Sequence, residues 1–154
     1  MMRHQAKWLL VGVMCLPLWS GTTHGQSATL MDAYNRYLEL RAEGRYQEAL
    51  PFAKEAVRLG TQEFGPDHPT TAGLFNDLAG LYQAQSRHAE AEPLHQRSLA
   101  IREKVLGPEH PDVAQSLENY ADLLRETGRG KEASQLEARA RAIRAKHALD
   151  NPVE

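Results

Sequence analysis

Phe64-Gly65-Pro66-Asp67-His68-Pro69 returns 42 residues later as Leu106-Gly107-Pro108-Glu109-His110-Pro111, with five positions matched in a six-residue window if Asp is counted with Glu. The same offset carries Glu48-Ala49 to Glu90-Ala91 and to Glu132-Ala133, and Pro51 to Pro93. A fixed period of this length is the signature of a repeat architecture in which each unit is one supersecondary element.

Between these markers the apolar residues follow helical spacing. Leu74, Phe75, Leu78, Leu81 and Tyr82 form one stripe, and Val113, Leu117, Tyr120 and Leu124 form the next. A second stripe per unit runs through Ala49, Phe52, Ala56, Val57 and Leu59, then through Ala91, Leu94, Leu99 and Ile101. Each unit is thus a helix pair. Ala79 with Ala121, and Ala49 with Ala91 and Ala133, put small residues where two helix backbones approach closely. Gly44, Ser86 and Gly128 sit in the turn inside each pair. Gly65-Pro66 and Gly107-Pro108 end the second helix, and Pro69 or Pro111 starts the next. This punctuation predicts helices over 28–43, 46–63, 69–85, 88–105, 111–127 and 130–147. Pro51 and Pro93 fall about one turn inside their helices, where each deletes a backbone hydrogen bond and bends the helix start.

The linker motif and the period together resemble the 42-residue tetratricopeptide (TPR) repeats of the kinesin light chain type, whose linkers read Gly-Pro-Asp/Glu-His-Pro. The resemblance spans about residues 28 to 147. It implies an all-α fold, a right-handed α-solenoid of three TPR helix hairpins (six helices), whose first helices line a concave groove that holds a protein or peptide segment. Motor adaptation is not implied, because the chain has no heptad-rich region. The first unit departs from the pattern: Tyr37 takes the place of Ala79 and Ala121, and Arg36 that of Leu78, so its first helix is expected to pack loosely or to shift register. In the last helix Arg141 replaces Val57 and Leu99, with Arg139, Arg144 and Lys146 around it, as a solvent-facing end of an open stack requires.

Carried over position by position, the groove of such repeats implies contacts from Met31, Tyr34, Asn35, Leu38 and Arg41 in the first unit. It implies Asn76, Asp77 and Gln83 in the second, and Gln115, Glu118, Asn119, Asp122 and Arg125 in the third. Asn35, Asp77 and Asn119 are equivalent, and an amide there can both donate to and accept from a peptide backbone. From Met31, Tyr34 and Leu38 to Glu118, Asp122 and Glu126 the groove turns from apolar to acidic, which suits a segment with an apolar and a basic part. An anionic carboxy-terminus gripped by Arg41 and Arg125 is the alternative.

The first 25 residues differ from the rest. Arg3 and Lys7 precede the 12-residue apolar run Trp8 to Trp19, and Ser20 to Gly25 is small and polar, the order of a secretory signal peptide. The run is well short of the roughly 20 residues of a membrane-spanning helix. Thr23 and Gly25 set up cleavage after Gly25, with Ser27 nearly as good. Cys15 lacks the small-residue box of a lipoprotein site. The expected organisation is a signal peptide at 1–25, a repeat domain at 26–148 with units at about 28–68, 69–110 and 111–148, and a disordered tail at 149–154. Export to the periplasm or secretion follows, with no stable membrane span after cleavage. Cleavage removes the only cysteine and both tryptophans and leaves 16 Lys plus Arg against 20 Asp plus Glu, a net charge of -4. Without disulfides, stability comes from helix packing alone.

Other chemistries find little to stand on. The whole chain has a net charge of only -2 with well-mixed charges, so no nucleic-acid footprint appears. His68 and His110 lie one repeat apart, separated by a helical layer of about 10 Å or more, and read as turn caps. His88 and His95 lie about 10 Å apart along one helix, too far for a single ion. No nucleophile with its base and no phosphate-binding glycine loop is present, so no catalytic residues, metal or cofactors are expected. The functional expectation is a non-enzymatic scaffold that binds a protein or peptide segment. Self-association of the chain through its open solenoid ends is the competing class.

Overall fold

The computed structural model describes residues 29–151; the expected signal segment lies outside them, as do residues 152–154. The described chain is six helices and no strand: α1 Leu30–Ala42, α2 Tyr46–Phe64, α3 Pro69–Gln83, α4 His88–Leu106, α5 Pro111–Glu126 and α6 Gly130–Asp150. Each falls within three residues of its predicted bounds. α6 runs furthest past its expected end, to Asp150. Consecutive helices pack in pairs, and each pair packs on the next, so the chain is a helical repeat solenoid.

The turns explain why the punctuation repeats. Gly44, Ser86 and Gly128 take φ of +74°, +57° and +79°, the left-handed region that closes a helix. The residue after each, Arg45, Arg87 or Arg129, returns its N–H to Leu40, Tyr82 or Leu124 at 2.9, 2.9 and 2.7 Å. These three arginines are the N-terminal caps of α2, α4 and α6, and their guanidinium groups reach Glu48, Glu90 and Glu132 at 2.5, 2.7 and 2.6 Å. That pairing accounts for the glutamate in the Glu-Ala repeat. The linker histidines are caps as expected: His68 Nδ1 accepts from the Thr70 N–H, and His110 Nδ1 from the Asp112 N–H, both at 3.1 Å. Helices α2 and α4 run unbroken through Pro51 and Pro93.

Alanine carries the close crossings. Ala49, Ala79, Ala91, Ala121 and Ala133 are fully buried. Tyr37, in the column of Ala79 and Ala121, is only 1% exposed, so the first pair neither loosens nor slips. The volume is taken from the facing helix: the column that holds His95 in α4 and Glu137 in α6 holds Ala53 in α2, in one cluster with Tyr37. Gly60 is a second accommodation, because a Cβ there would stand 2.4 Å from Leu74 Cδ1, where α2 meets α3. At the far end the buried set of α6 shrinks to Ala133, Ala140 and Ile143, and the Arg141 side chain is 72% exposed.

Candidate functional site

Helical spacing puts Gly73, Asn76, Asp77, Gly80, Gln83 and Ala84 on one face of α3, and that face is the floor of a groove of about 720 Å³. Gln115, Asn119, Asp122 and Glu126 of α5 form one wall, Tyr34 and Arg41 of α1 the other, and His95 and Arg102 reach in from α4. Asp77, Asp122 and Glu126 bring negative charge; Arg41 and Arg102 bring positive charge.

Most of these polar groups are already oriented by one another. The Tyr34 hydroxyl donates to Asp77 Oδ2 at 3.0 Å. Burial pushes the Tyr34 phenol up to about 12, with the Asp77 charge adding to the effect. Burial also raises the Asp77 carboxyl, against the Tyr34 hydrogen bond and the charges of Arg41 and Arg102. His95 is 1% exposed, with Nδ1 3.0 Å from Asn76 Oδ1 and Nε2 3.3 Å from Gln83 Oε1. Burial holds its pKa down to about 4, so the ring is neutral. A neutral ring donates from one nitrogen only, so one of the two amides turns its NH₂ toward it. Gln83 Nε2 also contacts Glu126 Oε1 at 2.8 Å, and Gln115 donates to Asn119 Oδ1 at 3.1 Å.

Of the expected residues, Tyr34, Arg41, Asn76, Asp77, Gln83, Gln115, Asn119 and Asp122 line this groove together. Five expected residues lie outside the groove, among them Met31 of α1, which is 62% exposed. Glu118 is gripped by Arg144 of α6 through two contacts of 2.6 Å, and Arg125 by Glu137 of α6 with Asp122 at 3.8 Å. A grip on an anion shared by Arg41 and Arg125 is therefore not built here. Asn35 is exposed and Leu38 is 38% exposed on α1, beyond the groove lining. Conversely, His95 and Arg102 line the groove although they belong to a second helix of a pair. The signal was present in the repeat columns, where Arg102 aligns with Gly60 and Arg144, and His95 with Ala53 and Glu137. Among the described residues no group of three or more His, Cys, Asp or Glu could hold a metal, and no helix is long and apolar enough to cross a membrane.

The family comparison agrees with this geometry. A tetratricopeptide repeat model matches residues 70–146 and a second matches residues 39–70. A kinesin light chain-type array of nearly identical TPR-like repeats from Podosopora anserina is 28% identical over 77% of this chain and 56% of its own, with a TM-score of 0.69. BtubC (BKLC) from P. vanneervenii, 24% identical over 81% of this chain and 49% of its own, shares the fold with a TM-score of 0.71. The chain spans about half the length of these solved chains. No curated protein matches it. With its 42-residue helix pairs, its capped Gly-Pro-Asp/Glu-His-Pro linkers and a repeat model matched across α3 to α6, the chain belongs to the tetratricopeptide repeat family, with repeats of the kinesin light chain type.

Proposed function

We propose that the chain is an exported scaffold that holds a segment of a partner protein in the groove over α3. Tetratricopeptide repeats serve as protein-interaction scaffolds in general, and one observation favours this groove in particular. A Cβ built on Gly80 meets nothing within 4 Å, and one on Gly73 meets only Arg102 Nη2 at 3.6 Å. Glycine inside a helix costs about 0.5–1 kcal/mol relative to alanine. Packing does not require either glycine, and their bareness leaves the α3 backbone open to a close-lying main chain. Amides beside them, at Asn76, Gln83, Gln115 and Asn119, suit recognition of backbone groups. Export is inferred from the Arg3–Lys7 start, the Trp8–Trp19 run and the small residues before Gln26.

A photo-reactive side chain installed at Ala84, in the groove, tests the site inside the source cell. A discrete cross-linked species from Ala84 that disappears with Asn119→Ala plus Asp122→Ala supports the reading. A species formed equally from Gln135 on α6, and indifferent to the groove substitutions, refutes it. Gln135 serves as the control because it is exposed on α6, away from the groove lining, and Asn76 is left intact because it holds buried His95. Amino-terminal sequencing of protein recovered from the envelope fraction tests export: a start at Gln26 supports it, and retention of Trp8 and Trp19 refutes cleavage.

A further inference from the structure

The direction in which the amides on the groove floor point is decided from the α5 wall. Gln83 Nε2 lies 2.8 Å from Glu126 Oε1. A carboxylate only accepts, so Gln83 gives it the NH₂ end and keeps its oxygen for the other side. There Gln83 Oε1 lies 3.3 Å from His95 Nε2, and an oxygen facing that nitrogen requires a proton on it. His95 is 1% exposed, and among the described residues no carboxylate pairs with it, so burial keeps the ring neutral with a single proton. With that proton on Nε2, Nδ1 is a bare lone pair. The amide end of Asn76 that stands 3.0 Å from it is therefore the NH₂, and the Asn76 oxygen is turned outward.

The direction thus passes from Glu126 through Gln83 and His95 to Asn76, each middle link a donor on one side and an acceptor on the other. A carboxylate at the start polarises such a chain and strengthens the acceptor at its end. Asn76 lines the groove between Gly73 and Gly80, three and four residues away on the same face of α3, and neither glycine puts a side chain in the way. The middle pair alone has these parts. The columns of Asn76, Gln83 and His95 hold Tyr34, Arg41 and Ala53 in the first pair. In the third they hold Glu118, Arg125 and Glu137, and Arg125 and Glu137 close an ion pair there.

We propose that His95 is a positioning residue for partner binding: it carries the fixed orientation of Gln83 across to Asn76, so that the groove floor presents a carbonyl oxygen and takes a main-chain N–H of the bound segment. This rests on the groove being the binding face. The partner that fits is an extended segment with a free N–H over the middle of α3. Proline at that place has no N–H to give, and inside a helix the N–H groups are already used.

The relay is read without any partner, by NMR on the purified ¹⁵N-labelled protein at neutral pH. The expected result is a scalar coupling between Asn76 Nδ2 and His95 Nδ1, which exists only across an N–H···N hydrogen bond, with the ring proton on Nε2. Absence of that coupling, a proton on Nδ1, or a coupling of His95 Nε2 to Gln83 Nε2 would overturn the assignment. The outward oxygen is tested with two small amides at equal concentration, N-methylacetamide, which has an N–H, and N,N-dimethylacetamide, which only accepts. The first should shift the Asn76 side-chain signals about two- to tenfold more than the second, the range that one net hydrogen bond gives. His95→Gln keeps one donor and one acceptor end and should preserve that preference, whereas His95→Leu should abolish it. Because a buried substitution could loosen the pair, Glu126→Gln is the second variant. It changes the half-exposed start of the chain to an amide that accepts or donates, so the preference should fall toward equality with the helices unchanged. Equal responses in the unmodified protein, or a preference that survives both His95→Leu and Glu126→Gln, would overturn the positioning role. Cross-linking from Ala84 reports on the groove separately, so either result can fail without the other.

Discussion

Acidification should destabilise this protein through His95. The ring is 1% exposed, wedged between Asn76 and Gln83 with the Tyr120 ring centred 6.3 Å away, and among the described residues no carboxylate pairs with it. Its pKa is about 4 in the folded protein, against about 6.5 in an unfolded chain. The folded value is the lower one, so from pH 6.5 downward the unfolded chain binds a proton that the folded protein refuses, and stability falls with pH. At about 1.4 kcal/mol per pKa unit the full loss is on the order of 3 kcal/mol, about 2 of it by pH 5. That is a large share of the roughly 5–15 kcal/mol typical of a domain. Asp77 acts the other way: its raised pKa means that the folded protein takes up that proton first, which offsets part of the loss at still lower pH. Urea unfolding followed by far-UV circular dichroism at pH 7 and pH 5 reads the difference. His95→Gln keeps an amide able to pair with Asn76 and Gln83 but does not titrate, so most of the pH 7 to 5 loss should vanish. The comparison is between slopes, since the variant has its own baseline stability. An equal drop in both proteins would show that His95 is not the acid-sensitive group.

Ser86, at φ +57°, occupies a turn position that is glycine in the other two pairs, so Ser86→Gly should raise stability by about 1 kcal/mol in urea unfolding; a loss would contradict the turn assignment. Gly80→Ala should raise the melting temperature through about 0.5–1 kcal/mol of helix propensity, and Gly80→Leu should leave the fold intact while reducing cross-linking from Ala84. Undiminished cross-linking in Gly80→Leu would mean that the bound segment does not lie on α3. His110→Ala removes the ring that caps α5 and should cost about 1 kcal/mol, with zinc leaving the melting curve of either protein unchanged. A zinc-dependent rise in melting temperature that His110→Ala abolished would give the linker a metal role.

The architecture was legible because each linker states its boundary several times over. Gly107 ends α4, His110 caps α5 and Pro111 opens it, and Gly65, His68 and Pro69 do the same one period earlier. Redundancy of this kind places helix ends to within a few residues, where a single apolar stripe could not. Tyr37 shows the limit. Read alone in an alanine column it predicts misfit, and the relief lies in Ala53 on the facing helix, a compensation visible only once two columns are known to touch.

The same limit governs the groove. Transfer by period assumes that every column meets the same neighbour, which holds for the floor, where Gly73, Asp77 and Gly80 face the opening of their own pair. It does not hold where the second helix differs. Glu118 and Arg125 sit in columns that line the groove as Asn76 and Gln83 in the middle pair, yet α6 draws them away with Arg144 and Glu137. In the middle pair α4 supplies Arg102 and His95 at those same columns: His95 fixes the two amides in place, and Arg102 has no acid to hold. The third pair is therefore internally neutralised at these columns and the second is not. The chemistry of the groove is accordingly set by the residues of α4 behind it as much as by the face of α3.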